Sequence, residues 1–171
     1  MSDELVDVVN QNDQVTGQAL RSKCHADYLL HRGSALLVFE DDSLKKILVT
    51  KRSATKGSNP GKFCFPGGHV AAGETYLVGA QREYWEELYS SKKPFKDVRF
   101  EELYKVQYKN DQEHELHTVF RIVDSGPFRP DPNEVARCFF VDTDKLKLEA
   151  KLNNNFTSSL LFHLSEYKKR Y

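Results

Sequence analysis

Apolar positions fall in short runs through the first half of the chain and take on helical spacing only later. Residues 5–10 (LVDVVN) and 15–20 (VTGQAL) flank the polar QNDQ, and together they predict an amino-terminal hairpin. Residues 34–40 and 47–52 read as two strands joined by DDSLKK, rich enough in Val, Leu and Ile that at least one face must be buried. Before them, RSKCHADYLLHRG reads as a short helical piece ending at Gly33, with His25 and His31 on either side of it. Residues 63–65 predict a short strand, and Pro66-Gly67-Gly68 turns it. From Thr75, which is placed as a cap, Leu77, Ala80, Tyr84 and Leu88 recur at helical spacing and predict a helix that turns those four toward the core. Trp85 lies off that stripe, in a position suited to a groove or a partner surface, and Lys92-Lys93-Pro94 ends the helix.

Further along, residues 98–108 and 117–123 predict strands around the polar KNDQEHE turn, and residues 135–141 a further strand after a loop punctuated by Pro127, Pro130 and Pro132. Helices are predicted over residues 144–152 and 157–169, the second with Leu160, Leu161 and Leu164 as its apolar stripe. Interleaved strands and helices without repeats or low-complexity tracts predict an α/β (α+β) fold with a mixed β-sheet between helices, built as one domain over residues 1–171.

Composition narrows the function classes. At 171 residues one domain can bury about 70% of its unfolded surface. Lys+Arg and Asp+Glu both number 25 and the formal net charge is zero, so no global field favours nucleic acid or an anionic membrane. Attraction for phosphate must be local. Cys24, Cys64 and Cys138 form no CxxC pair and read as free thiols in a reducing compartment. The acidic start MSDELVDVV is unlike a signal peptide, and the longest apolar run, residues 35–39, is too short to span a bilayer. The expectation is a soluble, cytoplasmic protein that takes a small-molecule substrate; oligomeric state is not encoded in any motif.

The chemistry concentrates in GGHVAAGETYLVGAQREYWEELYS, residues 67–90. On a helix, Glu83, Glu86 and Glu87 stand at i, i+3 and i+4 and share one face. Like charges at that spacing cost roughly 0.2–0.5 kcal/mol per pair, and a hard cation with oxygen ligands removes the cost. The bland alternative is a solvated acidic face. Arg82 stands beside Glu83 and four residues before Glu86, placed to orient carboxylates rather than to touch substrate. Arg52 and Lys56, in the Gly- and Pro-containing loop of residues 52–63, are placed to meet phosphate.

The same stretch resembles the Nudix box: Gly, five residues, Glu, seven residues, Arg-Glu, an apolar residue, any residue, Glu-Glu, any residue, Gly, an apolar residue. Gly68, Glu74, Arg82, Glu83, Glu86 and Glu87 fall in register over residues 68–90, with Tyr84 in the apolar slot. If each residue type occurs at roughly 6%, six such matches arise by chance with odds on the order of one in 10⁵. Tyr89 and Ser90 depart from the box's final glycine and apolar residue, positions that carry no metal chemistry. The resemblance implies a Nudix-type α/β/α sandwich and a Mg²⁺- or Mn²⁺-dependent hydrolase that cleaves a nucleoside diphosphate linked to another moiety or a related organic pyrophosphate. By it, Glu83, Glu86 and Glu87 would hold the cation, the Gly67 carbonyl would complete the shell, and Glu74 would brace the loop or ligate. Glu134, before a late strand, would be an additional carboxylate.

The wider frame, from LVDVVNQNDQVTGQALRSKCH through GGHV, resembles the isopentenyl diphosphate isomerase branch of the same fold. That branch holds a divalent metal with three histidines and two glutamates, and His25, His31, His69, Glu113 and Glu115 occupy comparable places as a second metal site suited to Zn²⁺, Mn²⁺ or Mg²⁺. The isomerases carry a catalytic cysteine two residues before the metal-binding histidine; here that position is Gly67, and Cys64 is three residues too early. With the box intact and the thiol missing, hydrolase is the favoured reading, and isomerase or a non-catalytic diphosphate-binding module the alternatives.

Overall fold

A computed structural model describes residues 3–171 apart from 92 and 153. In chain order the elements are β1 (Leu5–Val9), β2 (Val15–Leu20), α1 (Arg21–Ala26), β3 (His31–Phe39), β4 (Lys46–Arg52), β5 (Phe63–Cys64), α2 (Tyr76–Tyr89), β6 (Glu101–Lys109), β7 (His114–Val123), β8 (Val135–Asp142), α3 (Thr143–Leu152) and α4 (Ser158–Arg170).

Alternation along β3 sets the layers. Ala35, Leu37 and Phe39 join Ile47, Val49 and Val119 in a core closed by Leu146 of α3 and by Leu160 and Leu164 of α4. Leu36 and Val38 turn to the opposite face, where Leu48, Phe120 and Ile122 pack under Ala80, Tyr84 and Leu88 of α2. Successive strand side chains point to opposite faces, so a strand that is apolar at every position needs a cover on each side. The result is an α/β/α sandwich.

The sheet has eight strands and is mixed. β3 and β7 pair in parallel from His31↔Glu115 to Phe39↔Val123, β6 lies antiparallel on β7, and β8 lies antiparallel on β4. The amino-terminal hairpin β1–β2 meets β3 at Val8↔His31.

Four local expectations are corrected. The helical piece stops at Ala26, and His31 and Gly33 belong to β3. Tyr28 adopts φ 55° and breaks the helix, while Gly33 sits in the strand because a Cβ there would come within 2.6 Å of the His117 ring. The second carboxyl-terminal-half strand begins at His114 rather than 117, because Asn110 Oδ1 accepts from the Gln112 and Glu113 amides and tightens the turn. Leu77 is exposed and Trp85 is buried: Leu77 lies in the first turn of α2, and Trp85 packs against Tyr84, Tyr89 and Phe95. On α4, Leu161 is exposed and His163 takes a buried place beside Leu160 and Leu164. Lys92, named as part of the stop after α2, lies outside the described residues.

The departures at the end of the box have a local cause. Tyr89 is buried and its hydroxyl donates to Asp124, as does that of Tyr84. The left-handed turn after α2 passes to Ser90, at φ 51°.

Candidate metal centre

Thr75 caps α2, its hydroxyl oxygen accepting from the Val78 amide at 3.3 Å. That cap starts the helix so that Glu83 and Glu87 back onto the glycine loop. The Gly67 amide donates to Glu87 Oε2 at 3.0 Å. Gly68 leaves room for Glu83: a Cβ there would come within 2.7 Å of its carboxylate. Gly67 itself has φ 131°, and a Cβ on it would stand 2.3 Å from the Ser34 carbonyl oxygen. Only glycine fits that approach.

Arg82 organises the acidic side. Its Nε and Nη2 donate to the two oxygens of Glu74, each at 3.1 Å, its Nη1 donates to Glu83 at 2.5 Å, and its Nη2 also reaches the His69 carbonyl at 2.9 Å. Glu86 Oε2 lies 3.7 Å from Nη1. Glu74 accepts the Ala71 amide as well, so it braces the loop with both oxygens engaged. Burial pushes the Glu83 carboxyl up despite Arg82. Burial, with the charge of Glu83 added, pushes Glu87 up to about 8 against the pull of the Gly67 amide, Arg52 and Lys56. Two half-buried carboxylates with one adjacent guanidinium lack positive charge, and a cation fits that deficit.

Basic groups share their cavity. Arg52 and Lys56 line the same cavity as Glu83 and Glu87, a space of about 170 Å³. It adjoins a wider trough of about 970 Å³ that Glu86, Arg82 and His25 line. Arg52 is held by the Ser58 carbonyl and hydroxyl at 3.0 and 3.2 Å. Lys56 pairs with Glu134, which joins the late-strand carboxylate to the cavity rim.

The histidines converge on a second centre. β3 supplies His31, directly across the ladder from Glu115; α1 supplies His25, and the loop before α2 supplies His69, bridged to Gly33. One donor atom from each of His25, His31, His69 and Glu115 lies within 4.8 Å of all the others. The Nε2 atoms of the three histidines are buried and make no hydrogen bond. Glu115 Oε1 is 3.3 Å from His69 Nε2 and 3.7 Å from His31 Nε2. His31 Nδ1 meets the Leu29 carbonyl at 2.8 Å and His25 Nδ1 the Gln112 carbonyl at 3.2 Å. A carbonyl only accepts, so each Nδ1 carries the proton and each Nε2 offers a lone pair. Burial, against the attraction of Glu115, lowers His31 to about 4 and keeps it neutral. Burial would raise Glu115, yet His69 and His117 hold it well below the usual carboxylate range. The Nε2 lone pairs of His25 and His31, the unpartnered Nε2 of His69 and a carboxylate make a donor set that fits a divalent transition ion. Glu113 is not in this group; its carboxylate accepts from Asn110 Nδ2 at 2.7 Å. His117 and His163, neither named from sequence, stand behind Glu115. The i+2 spacing of Glu115 and His117 on a strand is the signal that could have found the first of them.

Residues 29–161 match the family model described as the NUDIX domain. The chain belongs to the Nudix family. A Nudix hydrolase of Escherichia coli, YfcD, described as uncharacterized, is 31% identical over 170 residues, spanning 99% of this chain and 89% of that one. An uncharacterized Nudix hydrolase of Streptomyces coelicolor is 40% identical over 104 residues, 60% of this chain and 56% of that protein. Isopentenyl-diphosphate Delta-isomerase 1 of Cannabis sativa is 31% identical over 174 residues, 86% of this chain and 58% of that one. The isomerase-like frame therefore accompanies the Nudix box. Among solved structures, DR0079 of Deinococcus radiodurans superposes with TM-score 0.77 at 20% identity over 95% of this chain and 98% of that one, a likeness of fold. Nudix hydrolases are pyrophosphate-bond hydrolases that generally use divalent metals, and the fold and box of this chain are of that enzyme class. No helix among the described residues is long and apolar enough to cross a membrane.

Proposed function

We propose that this Nudix protein is a Mg²⁺- or Mn²⁺-dependent hydrolase of a diphosphate bond, in a nucleoside diphosphate linked to another moiety or a related organic pyrophosphate. The observation that supports it is that the carboxylates Glu83 and Glu87 and the cations Arg52 and Lys56 line one cavity. Glu83, Glu86 and Glu87 hold the cation, with the Gly67 carbonyl beside them and Glu74 and Arg82 fixing their orientation. The cation, when bound, supplies charge neutralisation on the phosphate oxygens.

The remaining work falls to side chains. Arg52 and Lys56 bind the phosphates, and Lys56 exchanges part of its contact with Glu134 for substrate. One carboxylate of the Glu83, Glu86 and Glu87 set accepts a proton from the attacking water. Glu134 neutralises Lys56 between turnovers. Release of phosphate or nucleotide from a panel of diphosphates, dependent on Mg²⁺ or Mn²⁺, tests the reading. Glu87→Gln should lower kcat/KM by about 10²–10³; unchanged turnover in that variant, or no turnover of any diphosphate, would refute it.

The histidine centre favours a second reading, isomerisation of isopentenyl diphosphate, because that branch of the fold uses such a metal site. Gly67 argues against it. The backbone that brings Gly67 to the Ser34 carbonyl leaves no room for the Cβ of a catalytic thiol. Solvent deuterium should accordingly not enter the allylic product of isopentenyl diphosphate.

A further inference from the structure

His117 follows Glu115 by two residues on β7 and lies on the same face. Its Nε2 hydrogen-bonds Glu115 Oε2, and its Nδ1 is 2.7 Å from Nε2 of His163 on α4. His163 is 1% exposed, and its Nδ1 has no partner. With both rings neutral these contacts admit one proton order. A carboxylate oxygen accepts, so His117 Nε2–H donates to Glu115; His117 Nδ1 then accepts from His163 Nε2–H, leaving His163 Nδ1 a bare lone pair.

The surroundings hold this chain of contacts in place. Tyr108 stacks on His117 with ring centroids 5.6 Å apart. Gly33, opposite His117 in the parallel ladder, supplies the space: its missing Cβ would lie 2.6 Å from the His117 ring and 3.0 Å from Glu115 Oε2. With Oε2 occupied, Glu115 turns Oε1 toward the Nε2 atoms of His31 and His69.

We propose that His117 and His163 form a two-histidine positioning relay that fixes Glu115 as a ligand to a divalent transition ion held with His25, His31 and His69, and that α4 contributes to this centre through His163. The proposal rests on the histidine group binding a cation; it is independent of whether the carboxylate helix hydrolyses diphosphates. Second contacts of this kind typically alter metal affinity 10–100-fold.

Direct cation binding to the full chain tests it. Chelator-treated protein is titrated with Co²⁺, following its visible absorption, and with Zn²⁺ by calorimetry; His69→Ala identifies the signal from this centre. His163→Gln retains an amide N–H near the place of Nε2, whereas His163→Asn ends near Nδ1 and His163→Leu has no donor. The expected result is 10–100-fold weaker Co²⁺ binding and an altered spectrum in the Asn and Leu variants, with affinity largely restored in the Gln variant. Near-UV circular dichroism of each cation-free variant checks folding, and the Gln/Asn comparison decides the matter if the Leu variant does not fold. Wild-type affinity and spectrum in the Asn variant would overturn the proposal. So would equal weakening in Gln and Asn, which marks a packing defect, or Co²⁺ binding that His69→Ala leaves unchanged.

Discussion

Glu87 lies half-buried beside Glu83, and its carboxyl is pushed up to about 8, first by desolvation and then by that neighbouring charge. A carboxyl whose affinity for its proton is greater in the folded than in the unfolded state stabilises the fold at low pH. That contribution disappears as pH rises from the ordinary carboxylate range through about 8. The cation-free protein should therefore lose thermal stability as the medium goes from mildly acidic to mildly alkaline, and Mg²⁺ should raise Tm more at the alkaline end. Thermal scans with and without Mg²⁺ would expose an error if the increment were independent of pH or unchanged in Glu87→Gln. Gly67 makes the complementary case at the same scale. Gly67→Ala places a methyl 2.3 Å from the Ser34 carbonyl at φ 131°, and should cost about 1–3 kcal/mol in urea unfolding while weakening diphosphate hydrolysis. Spacing alone brought Glu83, Glu86 and Glu87 together, because a helix converts sequence distance into a face. It could not separate Glu113 from Glu115, since the distinction depends on where β7 begins. Nor could it find His117 and His163, which meet only through the docking of α4.

Among elements, α2 carries both the site and a large part of one core layer. Leu88 and Tyr84 are fully buried against the sheet, whereas Leu77 is 42% exposed. Leu88→Ala should cost about 2–5 kcal/mol by chemical denaturation, while Leu77→Ser should change stability by no more than about 0.5 kcal/mol. Comparable losses in the two variants would contradict the observed packing. The periodicity of α2 was legible, but its buried face was displaced around the helix: Trp85 is held by Tyr84, Tyr89 and Phe95, contacts that no local pattern announces. On α4 the same limit has the opposite chemistry, with a polar ring buried at His163 where leucine spacing suggests an apolar stripe. The hairpin, the two middle strands and the capped helix were readable because each is fixed by neighbours in sequence. The start of β3 was not, because Gly33 answers to His117 across the ladder rather than to residues beside it.

For the whole molecule, the sandwich joins a hydrolase-type acidic helix on one face of the sheet to an isomerase-like histidine cluster whose Glu115 lies on the strand face turned toward α4, the two meeting along one cavity lined by Glu83, Glu87, His69 and Glu115. The two donor sets differ in kind: carboxylates and a loop carbonyl suit Mg²⁺ or Mn²⁺, and imidazoles suit a softer ion. Adding Zn²⁺ to chelated protein at 100 times its Kd should stabilise the fold by about 2.7 kcal/mol. For a domain of this size that is a rise in Tm of about 5–10 °C. His31→Gln should remove the rise, and a rise unaffected by that change would place the ion elsewhere. The mixed sheet and the α/β/α layers were legible from the order of elements, whereas the parallel union of β3 with β7 was not, because nothing local states which strand a central strand will choose.

That union also orders events in time. His31 and Glu115 are direct partners at the first rung of the β3–β7 ladder, yet β4, β5, the glycine loop, all of α2 and β6 lie between them in the chain. Closing so long a loop is slow relative to hairpins and helices. The box helix can form early from its own sequence, but the histidine centre comes into existence only when the parallel rung closes. An ion captured there would lock two distant halves of the polypeptide together, a clasp on the completed topology and not a seed for it.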